Sequence, residues 1–426
     1  MNTRLSISIL TSLLALAACG PRGGTAMPSD PLDPLAESYV KLVLAVGRHD
    51  PIFVDAFYGP DPWKAEAESG APVPLPDLLA RSRDLLGRVR GAGGPEDRRR
   101  FLEKQLVAVE AHLRRLSGET LGLADECRAL FDAYPARHAV AEFEAAHREL
   151  ERLVPGPGSL GERIEAMRRA VYVPKDRIEA ALRAALDAAR TANAPFLRLP
   201  DGESFEAVIV TKQPWGAYNW YLGNYKSRIE LNTDLPVELN NLLGTMCHEG
   251  YPGHHVYNVL HEQALVRERR WIEHTVYPLY SPESVLAEGT ANVGIDIVYT
   301  DDERRRVLTE VLAPVAGVPA EAVLAADRIR DAARPLKYVN GEAAFMLLDE
   351  GKPEDEVVAF SRRWNLTTEE RARKSMQFAR TYRSYVFNYS LGEDLVRSWI
   401  GDGPDRRERF YDLLRRPVVP SELVRP

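Results

Sequence analysis

The sequence predicts a mainly α-helical protein with a small antiparallel β-sheet in its second half. From residue 34 to residue 193, Ala, Leu, Arg and Glu dominate, and apolar residues recur every three or four positions, as at Leu102, Leu106, Val109 and Leu113. Residues 205–232 instead show β-branched runs and alternation with period two. After Ser281 the helical pattern returns, so the sheet is expected to interrupt a helical chain.

The N-terminus has the pattern of an export signal. A short basic start, Met1–Arg4, precedes the uncharged stretch Leu5–Ala18. Fourteen residues fall short of the roughly 20 that span a bilayer, but they suit the core of a signal peptide. The ending Leu-Ala-Ala before Cys19 resembles a bacterial lipobox, which predicts a lipid anchor on that cysteine. The alternative is an ordinary cleaved signal whose cysteine is accidental.

The predicted organisation has four parts. Residues 1–18 are the signal peptide, and residues 19–34, rich in Gly and Pro, form a lipidated tether because this composition cannot build a core. A helical N-terminal lobe, 35–200, and a catalytic lobe, 201–426, follow. The protein is therefore expected to be exported to the cell envelope, on the periplasmic side or the cell surface, with the lipid anchor as its only membrane attachment. Its oligomeric state stays open.

Charge and cysteine content exclude some classes of protein. The formal net charge of −7 gives no basic face for phosphates, which argues against nucleic-acid partners. Besides Cys19, only Cys127 and Cys247 remain. One disulfide is possible between them, but two cysteines do not make a disulfide scaffold. Cys247 is interpreted as a small buried residue and not as a nucleophile.

The sheet leads into a helix that carries the chemistry. Phe205–Thr211 is strand-like, and Tyr218–Leu222 with Lys226–Asn232 predicts a hairpin around a Gly223-Asn224 turn. Pro236 then opens a helix whose apolar face is formed by Leu239, Leu242, Leu243 and Met246. This helix delivers His248 and Glu249.

The segment His248–His255 (HEGYPGHH) contains three imidazoles and one carboxylate. Zinc hydrolases use neutral imidazoles to hold the metal and a carboxylate beside the first of them to accept a proton from the metal-bound water. The familiar motif H-E-x-x-H has its histidines one helical turn apart, but here Pro252 stands where the second should be. The sequence predicts one zinc ion, with His248 as its first ligand and Glu249 as the general base.

His254 and His255 compete for the place of the second ligand. On an unbroken helix, His254 lies about 240° around from His248, and His255 returns to the same face about 10.5 Å further along. Pro252 and Gly253 permit a local bulge that absorbs the two extra residues. We favour His254 because recruiting His255 needs a larger distortion. His255 would then support a ligand or face the substrate.

A third ligand is expected in the helix that begins near Ser281. Ser281 can cap this helix, and Pro282 suits its first position. Glu288 follows about two turns later among small and apolar residues, where a carboxylate is costly unless it is paired or metal-bound. The alternative is a surface glutamate on an amphipathic helix. His261 and His274 have no ligand spacing and are expected to be structural or exposed.

Three motifs together resemble a known family. HEGYPGHH, the AEGTA segment around Glu288, and the late Tyr389-Ser-Leu-Gly392 are similar to the bacterial family catalogued as "domain of unknown function 885". The similarity extends from about Ser227 to Trp399. It implies a largely helical, gluzincin-like metallopeptidase fold, and zinc held by His248, His254 and Glu288.

The resemblance also implies roles in substrate binding. The strand Arg228–Asn232 would act as the edge strand that pairs with an extended peptide in gluzincins, which makes Asn232 a substrate-binding candidate. Donors to the developing oxyanion are sought in the late aromatic run, where Tyr389 and Arg383 are catalytic candidates and Tyr385 a substrate-binding one.

The sequence therefore predicts a zinc-dependent hydrolase that cleaves a small peptide or a peptide-like amide. Two alternatives remain open. One is a zinc amidohydrolase that acts on a non-peptide or cell-wall amide. The other is a lipoprotein receptor or assembly factor with a vestigial metal site.

Overall fold

Helices dominate the computed structural model, which describes residues 30–424. The mainly helical class with a small sheet is confirmed. Eight helices precede the sheet: α1 Asp33–Gly47, α2 Asp61–Glu68, α3 Leu75–Gly91, α4 Glu96–Leu116, α5 Leu123–Phe131, α6 Val140–Leu153, α7 Leu160–Ala170 and α8 Ile178–Asn193. After it come α9 Leu239–Glu249, α10 His254–His261, α11 Pro282–Val298, α12 Asp301–Arg306, α13 Ala313–Ala316, α14 Ala320–Asp327, α15 Arg330–Ala333, α16 Val339–Ala344, α17 Glu354–Trp364, α18 Glu369–Tyr382, α19 Asn388–Ile400 and α20 Arg406–Leu413.

Within residues 30–424, five strands form two small sheets: β1 Val54–Phe57, β2 Ser204–Val210, β3 Ala217–Gly223, β4 Lys226–Asn232 and β5 Val276–Pro278. The expected antiparallel hairpin is present as β3 and β4. Its turn is Asn224-Tyr225, where both residues have positive φ. β2 joins the other edge of β4 in parallel, so this sheet is mixed and β4 is its central strand.

The predicted signal peptide 1–18 and Cys19 lie outside the described residues. The tether predicted for 19–34 ends earlier than expected, because Leu32 is fully buried and α1 begins at Asp33. From Pro31 onward the chain forms one compact unit. No helix among the described residues is long and apolar enough to cross a membrane.

Several contacts join residues on opposite sides of residue 200, the predicted boundary between the two lobes. β1 pairs with β5 in an antiparallel sheet. Arg98 on α4 forms a buried two-pronged ion pair with Glu273, with nitrogen–oxygen distances of 2.7 and 2.9 Å. The division at residue 200 stays a prediction.

The core around α8, α9, α10 and α11 holds the segment that carries the histidines. Leu239, Leu242, Leu243 and Met246 are all buried there, as the apolar face of the predicted helix requires. A second core joins α1, α3, α4 and α5 to β5. Cys127 and Cys247 are buried, free thiols in these two cores.

Candidate metal centre

The histidine segment is two helices joined by a tight connection. α9 ends at Glu249 and α10 begins at His254, and the connection between them contains a cis Tyr251–Pro252 peptide bond. The expected bulge within one helix is therefore a complete break. Gly253 N–H donates to Cys247 O at 2.9 Å, and a Cβ on Gly253 would lie 1.8 Å from His248 O. Only glycine fits this close approach, which turns α10 back beside α9.

The break brings three ligand atoms together. His248 Nε2 lies 3.1 Å from His254 Nε2. Glu288 places Oε2 3.4 Å from His248 Nε2 and Oε1 3.8 Å from His254 Nε2. Bonds of about 2.0–2.1 Å in a tetrahedral zinc site put ligand atoms about 3.3 Å apart. The three side chains thus already have nearly the spacing that a single zinc ion requires.

Asn292 fixes the orientation of the first imidazole. The Nδ2 group of Asn292 donates to Tyr389 O at 3.0 Å, which leaves Asn292 Oδ1 facing His248 Nδ1 at 3.0 Å. Because that oxygen can only accept, Nδ1 carries a proton, and Nε2 is the nitrogen that would give its lone pair to a metal. Metal-binding histidines commonly have such a partner on the second ring nitrogen.

Two glycines place Glu288 beside the late aromatic run. A Cβ on Gly289 would lie 2.3 Å from Gly392 O, and a Cβ on Gly392 would lie 2.2 Å from Val285 O. α11 and α19 therefore cross with their backbones in contact. The crossing lets Tyr385 Oη donate to Glu288 Oε1 at 2.8 Å, which explains physically why the two motifs contain glycine.

The two carboxylates differ in protonation. Burial raises the pKa of Glu288, but its hydrogen bond with His248 and the charges of His254 and His248 outweigh burial and hold that pKa below its usual value. Burial, opposed by His248 and reinforced by Glu288, raises the pKa of Glu249 to about 7. Glu288 therefore has the character of an ionised ligand, and Glu249 that of a base active near neutral pH.

The centre contains two buried carboxylate oxygens, one from Glu249 and one from Glu288. Glu249 Oε2 is buried without a hydrogen-bond partner in the described part of the chain, and Glu288 Oε2 is buried with only His248 Nε2 beside it, 3.4 Å away. Burial lowers the pKa of His248, but hydrogen bonding to Glu288 and the charge of Glu249 raise it to about 9. Burial lowers the pKa of His254 to about 4, which keeps this imidazole neutral. Glu288 Oε2 and the two imidazoles would hold a divalent cation, and its charge would stabilise the nearby Glu249 carboxylate, so the donor set fits zinc.

A cavity of about 190 Å³ opens onto the centre. Nine aromatic side chains from the described part of the chain line it: Trp215, Tyr218, Trp220, Tyr221, Tyr277, Phe378, Tyr382, Tyr385 and Tyr389. Asp55 of β1 also lines the cavity and accepts a hydrogen bond from Tyr218 Oη. Burial, together with the charge of Glu288, raises the pKa of Asp55 to about 6.

Tyr389 lines both this cavity and a larger open groove that also reaches His248 and Glu249. Burial and the charges of Glu288 and Glu249 raise the pKa of Tyr389 well above its usual value. Its hydroxyl is therefore a proton-bearing donor at neutral pH.

His255 is not brought to the cavity, contrary to its assignment as a substrate-binding residue. It is fully buried and lies about 100° around α10 from His254. Its Nδ1 lies 2.7 Å from Ser227 Oγ and its Nε2 lies 2.7 Å from Glu203 Oε1. This imidazole joins the helix to the sheet.

The strand that carries Asn232 is the central strand of its sheet and not the expected edge strand. β4 has neighbours on both edges, so it cannot pair with a peptide. Asn232 Nδ2 donates to Gln213 O at 3.0 Å and to Trp215 O at 2.7 Å. Asn232 therefore shapes the loop before β3 and also lines the larger open groove that reaches His248 and Glu249, while β3 lines the cavity. Its role in substrate binding stays a prediction.

Arg383 is likewise not brought to the centre. Its Nε donates to Glu126 Oε2 at 2.7 Å and its NH2 group to Leu121 O at 3.3 Å, so its guanidinium fastens α5 to the aromatic run. Of the three expected oxyanion donors, only Tyr385 and Tyr389 face the cavity.

Sequence reasoning missed three residues of the centre. Asn292 lies one turn after Glu288 on α11, a spacing that could have identified it. Asn219 of β3 donates to Glu249 O at 2.8 Å and so fixes the end of α9. Asp55 comes from a strand almost two hundred residues earlier, and no local signal indicates it.

Comparison with known proteins shows similarity of fold. No family model and no curated protein matches the chain. The crystal structure of "the putative lipoprotein from Colwellia psychrerythraea" is 14% identical, with a TM-score of 0.50, and the match covers 92% of this chain and 74% of that one. "A putative lipoprotein of unknown function from Shewanella oneidensis" is 12% identical, with a TM-score of 0.45 over 89% and 76% of the two chains.

Proposed function

We propose that the protein is a zinc-dependent hydrolase that cleaves peptide or peptide-like amide bonds. The observation that carries this proposal is the triangle of His248, His254 and Glu288 at 3.1–3.8 Å with the free Glu249 carboxylate beside it. Zinc held there would polarise the scissile carbonyl and lower the pKa of a bound water to about 7. Membership of the family that the motifs resemble is part of the same proposal.

The side chains around the triangle have distinct tasks in this mechanism. Glu249 accepts a proton from the attacking water at Oε2, the oxygen without a hydrogen-bond partner, and returns it to the leaving amine. Tyr389 donates its hydroxyl proton in a hydrogen bond to the carbonyl oxygen as negative charge develops there. Tyr385 holds Glu288 in its ligand orientation. A vestigial metal site would not need Glu249, and burying this carboxylate without a partner would be costly.

The cavity favours a short substrate with a free amino group. Its volume of about 190 Å³ is smaller than that of typical pockets for drug-sized ligands, about 300–1,000 Å³. Besides Glu249 and Glu288, the cavity is lined by the carboxylate of Asp55, which can pair with a positively charged amino group. The aromatic faces of the cavity also attract cations. The substrate's ammonium group would pair with Asp55 while its first amide bond lies at Glu249, as in an aminopeptidase.

The proposed location is the cell envelope, through a lipid on Cys19. The Leu-Ala-Ala-Cys pattern after an uncharged core supports this location. The Colwellia protein of similar fold is also named a lipoprotein.

The experiment is turnover of paired short peptides that differ only in having a free or an acetylated N-terminus. We expect hydrolysis of the free peptides that a chelator abolishes and zinc restores. Asp55→Asn should raise KM for free peptides about tenfold or more, since a hydrogen bond to a charged group contributes about 1.5–3 kcal/mol. The exposed Asp61→Asn is the matched control.

Three outcomes separate the alternatives. Absence of chelator-sensitive turnover on any amide would contradict the proposed hydrolase. Cleavage restricted to cell-wall amides would favour the amidohydrolase. Equal KM values for Asp55→Asn and the wild type would exclude Asp55 as the amine-binding group.

A further inference from the structure

A second cluster of metal-ligand side chains lies buried away from the cavity. It consists of His261 at the end of α10, His274 in the 3₁₀ turn Ile272–Thr275, and Glu283 in the first turn of α11. One ligand atom from each lies within 4.8 Å of the other two, and His261 Nδ1 lies 3.4 Å from Glu283 Oε1. Sequence spacing gave no reason to group these residues.

The histidines of this cluster lack hydrogen-bond partners. Both ring nitrogens of His274 and Nε2 of His261 are buried without a partner in the part of the chain that the structure describes, and His261 Nδ1 faces only Glu283 Oε1, 3.4 Å away and without hydrogen-bond geometry. The two residues are only 5% and 6% exposed. A neutral imidazole has one donor and one acceptor, and each buried group left unsatisfied costs about 1–3 kcal/mol. Four such atoms in one cluster indicate that something is bound among them.

Within the described chain, the buried carboxylate of Glu283 likewise lacks a positively charged side chain to pair with. It is 6% exposed, and among residues 30–424 no lysine or arginine forms a salt bridge with it. Its Oε1 accepts only a long hydrogen bond, 3.4 Å, from Tyr257 Oη. A buried carboxylate is stable when it is paired or bound to a metal.

We propose that His261, His274 and Glu283 bind a second divalent metal ion of the zinc type. Two imidazoles and one carboxylate are the donor set of the first centre, and imidazole nitrogens suit zinc and neighbouring transition metals. The His261–Glu283 edge already matches the roughly 3.3 Å between ligands in a tetrahedral zinc site. The other two edges are within 4.8 Å.

The second site is separate from the first. His254 and His261 are seven residues apart on α10, about 10.5 Å, and Glu283 and Glu288 are five residues apart on α11, about 7.5 Å. A two-metal catalytic centre needs its ions about 3.5–4 Å apart. The second ion therefore does not share a substrate with the first, and its binding does not depend on the proposed hydrolysis.

The surroundings of the second site indicate a structural role. Aromatic rings pack on the histidines: Phe101 and Trp271 on His274, and Tyr257 on His261. Tyr58 Oη, next to β1, donates to His274 O at 2.8 Å. An ion here would fasten α10 and α11 to the turn that carries Glu273, the partner of Arg98 on α4.

The test counts zinc bound per full-length chain after stripping with chelator, reloading with zinc alone and removing the excess. We expect two ions in the wild type, one in His254→Ala, one in His274→Gln and none in the double variant. His112→Gln is the matched control, since His112 is also buried but its Nδ1 pairs with Arg115 at 3.0 Å and it lies in neither cluster, so this variant should keep two ions. One ion in the wild type and none in His254→Ala would overturn the proposal.

A second measurement avoids variants that fail to fold. In His254→Ala, where the second cluster is intact, added zinc should raise the thermal midpoint of unfolding, because a ligand that binds the folded state stabilises it. Magnesium, a poor match for imidazole, should not. If zinc neither binds to His254→Ala nor shifts its midpoint, the cluster is not a metal site, and the proposed function of the first centre is unaffected.

Discussion

Replacing Asn292 with Leu should weaken zinc binding at the first centre without removing a ligand. Leu has a similar size but cannot accept the proton of His248 Nδ1, which now lies 3.0 Å from Asn292 Oδ1. When His248 becomes neutral, its remaining proton then prefers Nε2, where Glu288 Oε2 lies 3.4 Å away as an acceptor. His248 Nε2 and Glu288 Oε2 would then be joined by a hydrogen bond. Zinc can bind these two ligand atoms only after that hydrogen bond breaks and the proton leaves Nε2.

The size of the effect follows from this geometry. Loss of a hydrogen-bond partner behind a metal-binding histidine typically costs about 10–100-fold in affinity, or about 1.4–2.7 kcal/mol. With free zinc buffered at 100 times the wild-type Kd, zinc stabilises the folded wild type by about 2.7 kcal/mol. At the same zinc concentration, a variant bound 100-fold more weakly gains only about 0.4 kcal/mol.

Competition with a chromophoric chelator measures the affinity for zinc. Unfolding with and without buffered zinc measures how much zinc stabilises the folded protein. Asn240→Leu is the matched control, because it also removes a hydrogen bond to a backbone carbonyl, Val323 O at 3.0 Å, but does not touch His248. Measuring both in a His274→Gln background restricts the signal to the first centre. Equal zinc affinity of Asn292→Leu and the control would refute the role given to Asn292.

The remaining predictions concern the connection, the tyrosines and the anchor. Gly253→Ala should lower stability by about 1–3 kcal/mol or more and weaken zinc binding, since its Cβ would lie 1.8 Å from a backbone oxygen; the control Gly161→Ala places its Cβ in open space. Tyr389→Phe should lower kcat about 10²–10³-fold with zinc content unchanged, whereas Tyr385→Phe should weaken zinc binding because it frees Glu288. Cys19→Ser should release an active protein from the membrane fraction.

Each of these predictions has a contrary outcome. Normal zinc content and thermal midpoint in Gly253→Ala would mean that the connection tolerates a side chain. An unchanged kcat in Tyr389→Phe would remove this hydroxyl from the mechanism. Wild-type protein that incorporates no radiolabelled palmitate in a bacterial host would exclude the lipid anchor.

Local sequence signals predicted the elements well and their partners poorly. Apolar spacing is enough to locate α9 because one face of the helix is buried along its whole length. The hairpin of β3 and β4 follows from two alternating runs and a short turn. The parallel addition of β2 was not foreseen, because its register with β4 depends on packing against α8 and on no pattern within the strand.

The same limit explains the site residues that were assigned differently. Pro252 and Gly253 indicated a local bulge near the second histidine, since one lacks a donor and the other lacks a Cβ. His255 has partners in Glu203 and Ser227, which are distant in sequence, and Arg383 has its partner in Glu126. The sequence near a motif shows which ionisable groups are present, but it does not show which distant residues will pair with them in the folded protein.

Zinc content and turnover of Glu249→Gln, measured together, test the central claim most directly. Gln keeps the shape of the side chain but cannot accept a proton, and His248, His254 and Glu288 remain in place. The proposed mechanism predicts wild-type zinc content and a rate at least about 10²–10⁴-fold lower on a free short peptide. Wild-type turnover by Glu249→Gln with its zinc retained would contradict the mechanism.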